Sequence, residues 1–233
     1  MKEQFGRTAG LLGEEAIARL SAARVAVFGI GGVGGYAVEA LVRAGVGALE
    51  LIDNDTVSES NLNRQIIALY STVGQYKTEV AAKRALDINP DVKITTRNTF
   101  FLPENADQFD FSQYDYVIDA IDTVSAKMEL VRRANAAGTP IISAMGTGNK
   151  LDPTAFRVTD IYKTEGCPLA RTVRSLCRKE GIKHLKVVYS PEPPRGTTYG
   201  ENGRNAPASI SFVPAAAGLV LAGAVIKAIC GIE

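Results

Sequence analysis

The chain has 233 residues, of which 46% are hydrophobic, and carries a formal net charge of +1 at pH 7. This length and composition predict one domain with a substantial hydrophobic core. The near-zero net charge excludes a global attraction to nucleic acid or to anionic membranes, so any basic surface has to be local.

Strands alternate with helices over the first part of the chain. The apolar patterns predict helices at 14–21, 33–44 and 76–88 and one ending at Ala137, and strands at 24–28, 48–53, 92–97, 116–119 and 139–143. This alternation is typical of a Rossmann-like α/β fold with a doubly wound, mainly parallel sheet.

Beyond Gly146 the pattern changes to shorter strand-like segments. We expect these at 156–161, 186–190 and 209–213. Residues 190–207 are rich in proline, glycine and polar groups, which predicts a mobile loop. We therefore expect a single domain over residues 1–233, in which residues 149–233 form a C-terminal extension that supplies the substrate surface and supports a dimer.

The two ends of the chain bear on a membrane location. No continuous apolar run precedes the first strand, so we expect no signal peptide. Residues 212–230 are nearly all apolar and approach membrane-spanning length, but Pro214, Lys227 and many small residues favour a buried helix. We expect no membrane partner.

A glycine-rich turn follows the first predicted strand. Gly29, Gly31 and Gly34 have the G-x-G-x-x-G spacing, with Gly32 inside the same turn, and Asp53 ends the second strand. Such a turn brings backbone N–H groups to a phosphate, and the acid can bind a ribose. Taken alone, the pattern fits an NAD-binding oxidoreductase as well as an ATP-binding protein.

The segments after Asp53 narrow the choice. Residues 53–65 read DNDTVSESNLNRQ, residues 73–77 read VGQYK, and residues 119–122 read DAID. Together they resemble the ThiF/MoeB/E1 family of adenylating enzymes, from Phe5 to about Gly148. The resemblance implies that residues 1–148 bind ATP and that a carboxylate attacks its α-phosphorus.

In this family, fixed cations and donors meet the charge that builds on the phosphates. The resemblance implies the following roles: Asp53 holds the ribose, Asn61, Arg64 and Lys77 contact phosphates, Asp122 coordinates Mg²⁺ directly or through water, and Asp55 is a weaker candidate in the same pocket. Plainer structural alternatives exist. Asn61 can be a helix cap, and Arg64 and Lys77 can be ordinary solvated charges. Asp119, in the DAID segment, can merely cap a turn.

Arg7 lies in the N-terminal sequence QFGR. By resemblance it corresponds to the arginine that reaches the ATP phosphates of the neighbouring subunit, which implies a symmetric homodimer. A solvated terminal arginine is the alternative.

Cysteine usage separates the branches of the family. The three cysteines form no C-x-x-C pair, which argues against a disulfide framework or a four-cysteine zinc site and fits the cytoplasm. Members that activate a ubiquitin-like sulfur carrier commonly have two such pairs. Residues 160–171, 186–192 and 209–214 instead resemble the TcdA branch, the tRNA threonylcarbamoyladenosine dehydratases.

The branch resemblance implies an ATP-dependent dehydration. The enzyme adenylates the carboxylate of the threonylcarbamoyl group on a tRNA adenosine, and a group of the same modification closes a ring and expels AMP. The alternative is adenylation of a ubiquitin-like sulfur-carrier protein, with a sulfur-carrier or sulfur-transfer protein as partner. A protein that binds ATP without turnover also remains open.

Cys167 is a candidate nucleophile for the sulfur-carrier alternative. It precedes a proline, and Lys163 and Arg171 are close in sequence and can lower a thiol pKa. A small inert residue that opens a helix is the alternative. Cys177 and Cys230 lie on apolar helix faces, where we expect burial.

A local basic surface is predicted in the second half of the chain. Arg171, Arg174 and Arg178 recur at helical spacing, and further basic residues follow at Lys179, Lys183, His184 and Lys186. This face can follow a phosphate backbone. A merely solvated helix face is the alternative.

Overall fold

A seven-stranded sheet forms the centre of the molecule, which a computed structural model describes over residues 2–196, 198–201 and 204–232. The strands are β1 (Arg24–Phe28), β2 (Ala48–Ile52), β3 (Lys93–Arg97), β4 (Tyr116–Asp119), β5 (Ile141–Ala144), β6 (Arg157–Asp160), β7 (Lys186–Tyr189), β8 (Thr198–Glu201) and β9 (Arg204–Pro207). The helices are α1 (Gly6–Leu12), α2 (Glu14–Ala22), α3 (Gly34–Ala44), α4 (Lys77–Ile88), α5 (Val124–Ala137), α6 (Pro168–Lys179) and α7 (Phe212–Cys230).

The sheet order is β3-β2-β1-β4-β5-β7-β6. All neighbours are parallel except β6, which runs antiparallel to β7 at one edge. From β1 the chain adds β2 and then β3 on one side, and it then crosses back to add β4 on the other side of β1. Open α/β sheets bind ligands beyond the strand ends at this reversal point, so the topology places a cleft after β1, β2 and β4.

Hydrophobic clusters cover both faces of the sheet, as the uninterrupted apolar runs of a parallel sheet require. One cluster joins the sheet to α2, α3, α4 and α7. The other joins it to α5 and α6 and contains an aromatic group in which the rings of Phe28 and Phe101 lie 5.0 Å apart. Both strand faces are therefore shielded, and the polar groups of the site sit at the strand ends.

The apolar C-terminal helix α7 packs into the first cluster. Its best 18-residue window has a mean hydropathy of 2.0, enough by length and composition to cross a membrane, and 44% of that window is buried inside the protein. Leu221 and Val225 are fully buried, and Gly218 packs so closely on the Val33 carbonyl that a side chain would not fit. The predicted buried helix is confirmed, and it supports the glycine turn.

The predicted strands and helices of the first 148 residues are confirmed within two residues, and the mainly parallel Rossmann-like sheet is confirmed as well. Helix α1 was not expected. It contains Gly6 and Gly10, which weaken helix propensity, and it depends on the burial of Phe5 and Ala9 against the rest of the protein.

Two predictions in the second half are wrong. No strand forms at 209–213, because α7 begins at Phe212 with Pro214 in its first turn, where proline suits a helix. The expected irregular loop at 190–207 contains the antiparallel pair β8 and β9. Asn202-Gly203, a hairpin signal in the sequence, separates these strands, although Thr197 and residues 202–203 lie outside the described residues.

The packing of α7 predicts a cost for removing its buried side chains. Leu221→Ala should lower the free energy of unfolding by about 2–5 kcal/mol, because it leaves a cavity in a closed core. Leu86→Ala on α4 is the matched control, since Leu86 is 43% exposed and should cost less than about 1 kcal/mol. Urea denaturation measures both. Equal decreases in the free energy of unfolding for the two variants would contradict the position of α7 in the core.

Candidate active site

A cleft of about 770 Å³ opens at the carboxyl ends of the central strands. Its lining comes from the glycine turn, the segments after β2, β3, β4 and β5, the start of α6, and the segment that leads into α7. The volume lies in the usual range for small-molecule sites. The cleft therefore occupies the position that the sheet topology predicts for a ligand.

The glycine turn forms one wall of the cleft. Gly29 has φ +91°, and a Cβ there would lie 2.7 Å from the Ala120 carbonyl oxygen. A Cβ at Gly34 would overlap the Gly29 carbonyl, whereas Gly31 and Gly32 line the cleft. The turn leads directly into α3, whose N-terminus favours an anion.

Asp53 fixes this turn to the end of β2. One carboxylate oxygen accepts a hydrogen bond from the Ile30 N–H at 2.7 Å, and the other accepts from the Asp55 N–H at 2.8 Å. Asp53 is half-buried and lines the cleft. Its carboxylate thus shapes the turn through backbone contacts, and each oxygen keeps further lone pairs for a ligand hydroxyl.

Asn61 and Arg64 line the cleft in and just after the short 3₁₀ turn Glu59–Asn61. Arg64 lies next to the glycine turn, since a Cβ at Gly32 would lie 3.6 Å from its side chain. The Asn61 side-chain oxygen accepts from the Ser58 N–H at 3.1 Å, so Asn61 is also the capping residue that its plainer alternative predicts. The Arg64 guanidinium donates to the Ser60 carbonyl at 2.7 Å. No carboxylate among the described residues pairs with Arg64, so its charge is available to an anion in the cleft.

Lys77, at the start of α4, lines the cleft although it is only 6% exposed. Its ammonium lies 2.7 Å from the carboxylate of Asp55, which is exposed. The Lys77 N–H also donates to the Asp55 carbonyl at 3.0 Å. Lys77 is therefore a desolvated cation tied to the loop after β2, and the alternative of a solvated charge is wrong for it.

Two aspartates at the end of β4 have different environments, Asp119 as its last residue and Asp122 three residues later. Asp122 is exposed and lines the cleft, whereas Asp119 is fully buried beneath it, where burial raises its pKa. Asp119 does more than cap a turn, because its carboxylate also accepts from the Lys127 ammonium at 2.7 Å. The described residues contain no cluster of three metal-ligating His, Cys, Asp or Glu side chains.

Arg7 is exposed on α1 and does not line the cleft of its own chain. The preceding Phe5 packs on Gly45, at the C-terminal end of α3, whereas the cleft is at the N-terminal end of that helix. The chain thus places Arg7 away from its own cleft.

Cys167 is buried directly behind the cleft wall at Gly146. It precedes α6, and its sulfur would lie 3.5 Å from a Cβ at Gly146, a lining residue. Cys167 itself does not line the cleft. Cys177 and Cys230 are both buried, which confirms the expected burial, and burial raises the pKa of Cys177 to about 11.

Comparison with known proteins places the chain in a family. The model of the ThiF family matches residues 5–233. The chain belongs to the ThiF family. This membership extends the sequence resemblance, which covered residues 5 to about 148, to the C-terminal half.

Two dehydratases match this ThiF-family chain almost end to end. The tRNA threonylcarbamoyladenosine dehydratase of Bacillus subtilis is 42% identical over 97% of this chain and 94% of its own length. The crystal structure of Escherichia coli tRNA N6-threonylcarbamoyladenosine dehydratase, TcdA, in complex with ATP superposes with a TM-score of 0.90 at 38% identity, covering 98% of this chain and 94% of that one.

A sulfur-transfer relative matches over a shorter extent. The adenylyltransferase and sulfurtransferase UBA4 of Candida glabrata is 38% identical over 69% of this chain and only 36% of its own length. The resemblance to the dehydratase branch therefore continues where the resemblance to UBA4 ends.

The cleft of this ThiF-family chain also contains residues that sequence reasoning did not select. They include Asn54, Thr56, Ser58, Gln65, Thr99, Phe100, Phe101, Thr123, Met145, Gly146, Leu169, Pro207, Ser209 and Pro214. Some of these residues lie inside the segments that carry the sequence resemblance, namely Asn54, Thr56, Ser58, Gln65, Leu169, Ser209 and Pro214. Gln65 directly follows Arg64. Its side-chain oxygen is buried without a hydrogen-bond partner. The residues outside these segments depend on loop packing that spacing in the sequence does not show.

Proposed function

We propose that this chain is an ATP-dependent tRNA threonylcarbamoyladenosine dehydratase. The observation that carries the proposal is the end-to-end match to enzymes of that name, combined with a cleft that places two cations beside a glycine turn. A dinucleotide oxidoreductase would not require these cations. An NAD-dependent reaction therefore explains the site less well.

In this proposal ATP lies along the cleft with its phosphates beside the glycine turn and the side chains of Arg64 and Lys77. Asp53 binds the ribose, and the phosphates meet the N-terminus of α3. Arg64 and Lys77 stabilise charge on the α-phosphate and on departing pyrophosphate, with Asn61 as an amide donor. The rigid anchoring of these side chains supports the proposal, because preorganised charges need little rearrangement during the reaction.

The proposed cofactor includes Mg²⁺. Proteins usually hold Mg²⁺ with one or two carboxylates plus substrate phosphates, and the exposed Asp122 beside the glycine turn fits that donor set. When bound, the ion would neutralise phosphate charge. Asp122 is the residue that would hold it.

The proposed reaction has two steps. A carboxylate oxygen of the threonylcarbamoyl group attacks the α-phosphorus, and the bond to pyrophosphate breaks. A nucleophilic atom of the same modification then attacks the activated carbonyl carbon and expels AMP, with loss of its proton to solvent. The net change is removal of one water from the adenosine at the expense of ATP. No enzyme nucleophile is needed, since the reacting atoms are already joined.

The second candidate function is adenylation of a ubiquitin-like sulfur-carrier protein. The observation in its favour is Cys167, which lies just behind the cleft wall at Gly146. The proposal predicts that a Cys167→Ser variant keeps full turnover with modified tRNA. A covalent conjugate between a carrier protein and Cys167 would favour this second function.

Arg64→Ala should lower AMP formation stimulated by modified tRNA by about 100-fold or more, since a single charge-stabilising group contributes on this scale. Arg43→Ala is the matched control, because Arg43 is exposed on α3 and pairs with Glu39 outside the cleft. Release of AMP and pyrophosphate measures both. Equal activity of the two variants would contradict the role of Arg64.

We also propose a homodimer in which Arg7 completes the site of the partner subunit. The location of Arg7 supports this arrangement, because it lies away from the cleft of its own chain. A symmetric dimer would place the two Arg7 side chains at two equivalent sites.

Mixing two inactive variants tests this arrangement. Arg7→Ala and Arg64→Ala should each be nearly inactive alone, but one site of each mixed dimer keeps both arginines. After subunit exchange at equal amounts, about a quarter of all sites should be active. Steady-state AMP formation measures the recovery. No recovery, with mixed dimers demonstrated, would show that Arg7 does not act across subunits.

A basic surface on α6 is the proposed contact for the tRNA backbone. Leu169 at the start of α6 lines the cleft, and Arg171, Arg178 and Lys179 are exposed farther along the helix. These three have no carboxylate within ion-pair distance among the described residues, although the Arg178 guanidinium lies over the Tyr162 ring, 5.6 Å from its centroid. The surface thus leads away from the cleft that would take the modified base.

Arg171→Glu combined with Lys179→Glu should weaken tRNA binding by about tenfold or more and reduce its salt dependence, because each lost phosphate contact lowers the slope by about one. ATP affinity should not change. Lys83→Glu combined with Lys93→Glu, on the opposite side of the sheet, is the charge-matched control. Filter binding at several salt concentrations measures both. Equal effects of the two pairs would contradict a local tRNA surface.

A further inference from the structure

Lys127 is a fully buried ammonium directly behind the cleft. It lies in the first turns of α5 and is 0% exposed, as is its partner Asp119. Its nitrogen donates to the Asp119 carboxylate at 2.7 Å and to the Ala144 carbonyl at 3.1 Å. The roles derived above use neither Lys127 nor its contact with Ala144.

These contacts join two walls of the cleft. Asp119 ends β4, and its other carboxylate oxygen accepts from the Ile121 N–H at 3.3 Å, in the turn that carries Asp122. Ala144 ends β5 and begins the segment through Gly148 that forms the other wall. Lys127 therefore connects the proposed metal-binding turn with the segment Ala144–Gly148.

Stability alone does not explain a charge pair at this position. Removing two charges from water costs several kcal/mol per ion, and an apolar pair of similar volume often serves a core equally well or better. What apolar side chains cannot supply is directional bonds to a carboxylate and a carbonyl at once. Because β4 and β5 are already paired up to Asp119 and Ser143, the Lys127 contacts act on the two segments that leave these strand ends.

We propose that Lys127 is a positioning residue that sets the distance between the Asp122 turn and the Ala144–Gly148 wall. This inference rests on the proposed function and adds that the nucleotide contacts the Asp122 turn while the acceptor carboxylate contacts the Ala144–Gly148 wall. In-line attack requires the reacting atoms to be about 3–3.5 Å apart and aligned. Loss of Lys127 would thus impair the reaction between the two substrates more than the binding of ATP.

The test compares catalysis with ATP binding in Lys127→Met combined with Asp119→Asn. The double substitution leaves no unpaired charge in the core, so it folds even where Lys127→Met alone does not. We expect kcat for AMP formation with modified tRNA to fall about 100-fold, as misplacement by about 1 Å can produce, while the Kd for ATP changes less than about threefold.

Glu50→Gln is the matched control, since Glu50 is a buried carboxylate paired with Arg24 and Arg97 outside the cleft. It should lower thermal stability while kcat stays near that of the parent protein. If the double variant also keeps its kcat, or loses ATP affinity in proportion to activity, Lys127 has no positioning role. Absence of AMP formation in the unsubstituted protein would instead overturn the proposed function, so the two failures are distinguishable.

Discussion

The close packing of the glycine turn against the ends of β1 and β4 is the constraint on which the site depends. A side chain at Gly29 would strike the Ala120 carbonyl, and Asp53 holds the same turn through the Ile30 N–H. Helix α7 supports it from behind, where a Cβ at Gly32 would lie 3.2 Å from Pro214. Because three parts of the chain meet at one turn, the backbone proposed to bind phosphate is fixed by the whole fold.

The C-terminal half closes the other end of the cleft through a similar set of backbone contacts. Asn149 has φ 59° and is the one non-glycine residue with positive φ in the described part of the chain. Its carbonyl accepts from the Arg195 N–H at 2.7 Å, and its N–H donates to the Ala208 carbonyl at 2.8 Å. Both ends of the β8–β9 pair are thereby tied to one residue. The buried Lys150 adds a bond to the Ser190 carbonyl at 3.2 Å.

The sequence predicted the elements of the first half because their signals are local. Apolar runs, helix faces and the glycine spacing identify β1, α3 and α4 without knowledge of their neighbours. The contacts that shape the cleft are not local. Asp119 pairs with Lys127 from the following helix, which contacts Ala144 on the next strand, and neither spacing nor composition predicts such contacts. The β8–β9 pair was missed because its residues also suit an irregular loop.

The measurement that tests the proposed function most directly is mass spectrometry of nucleosides from threonylcarbamoyl-modified tRNA incubated with the protein, ATP and Mg²⁺. We predict that the modified adenosine loses one water, and that this loss requires ATP and disappears with Arg64→Ala. An unchanged nucleoside, with ATP binding demonstrated in the same sample, would contradict the dehydratase function and favour activation of a carrier protein.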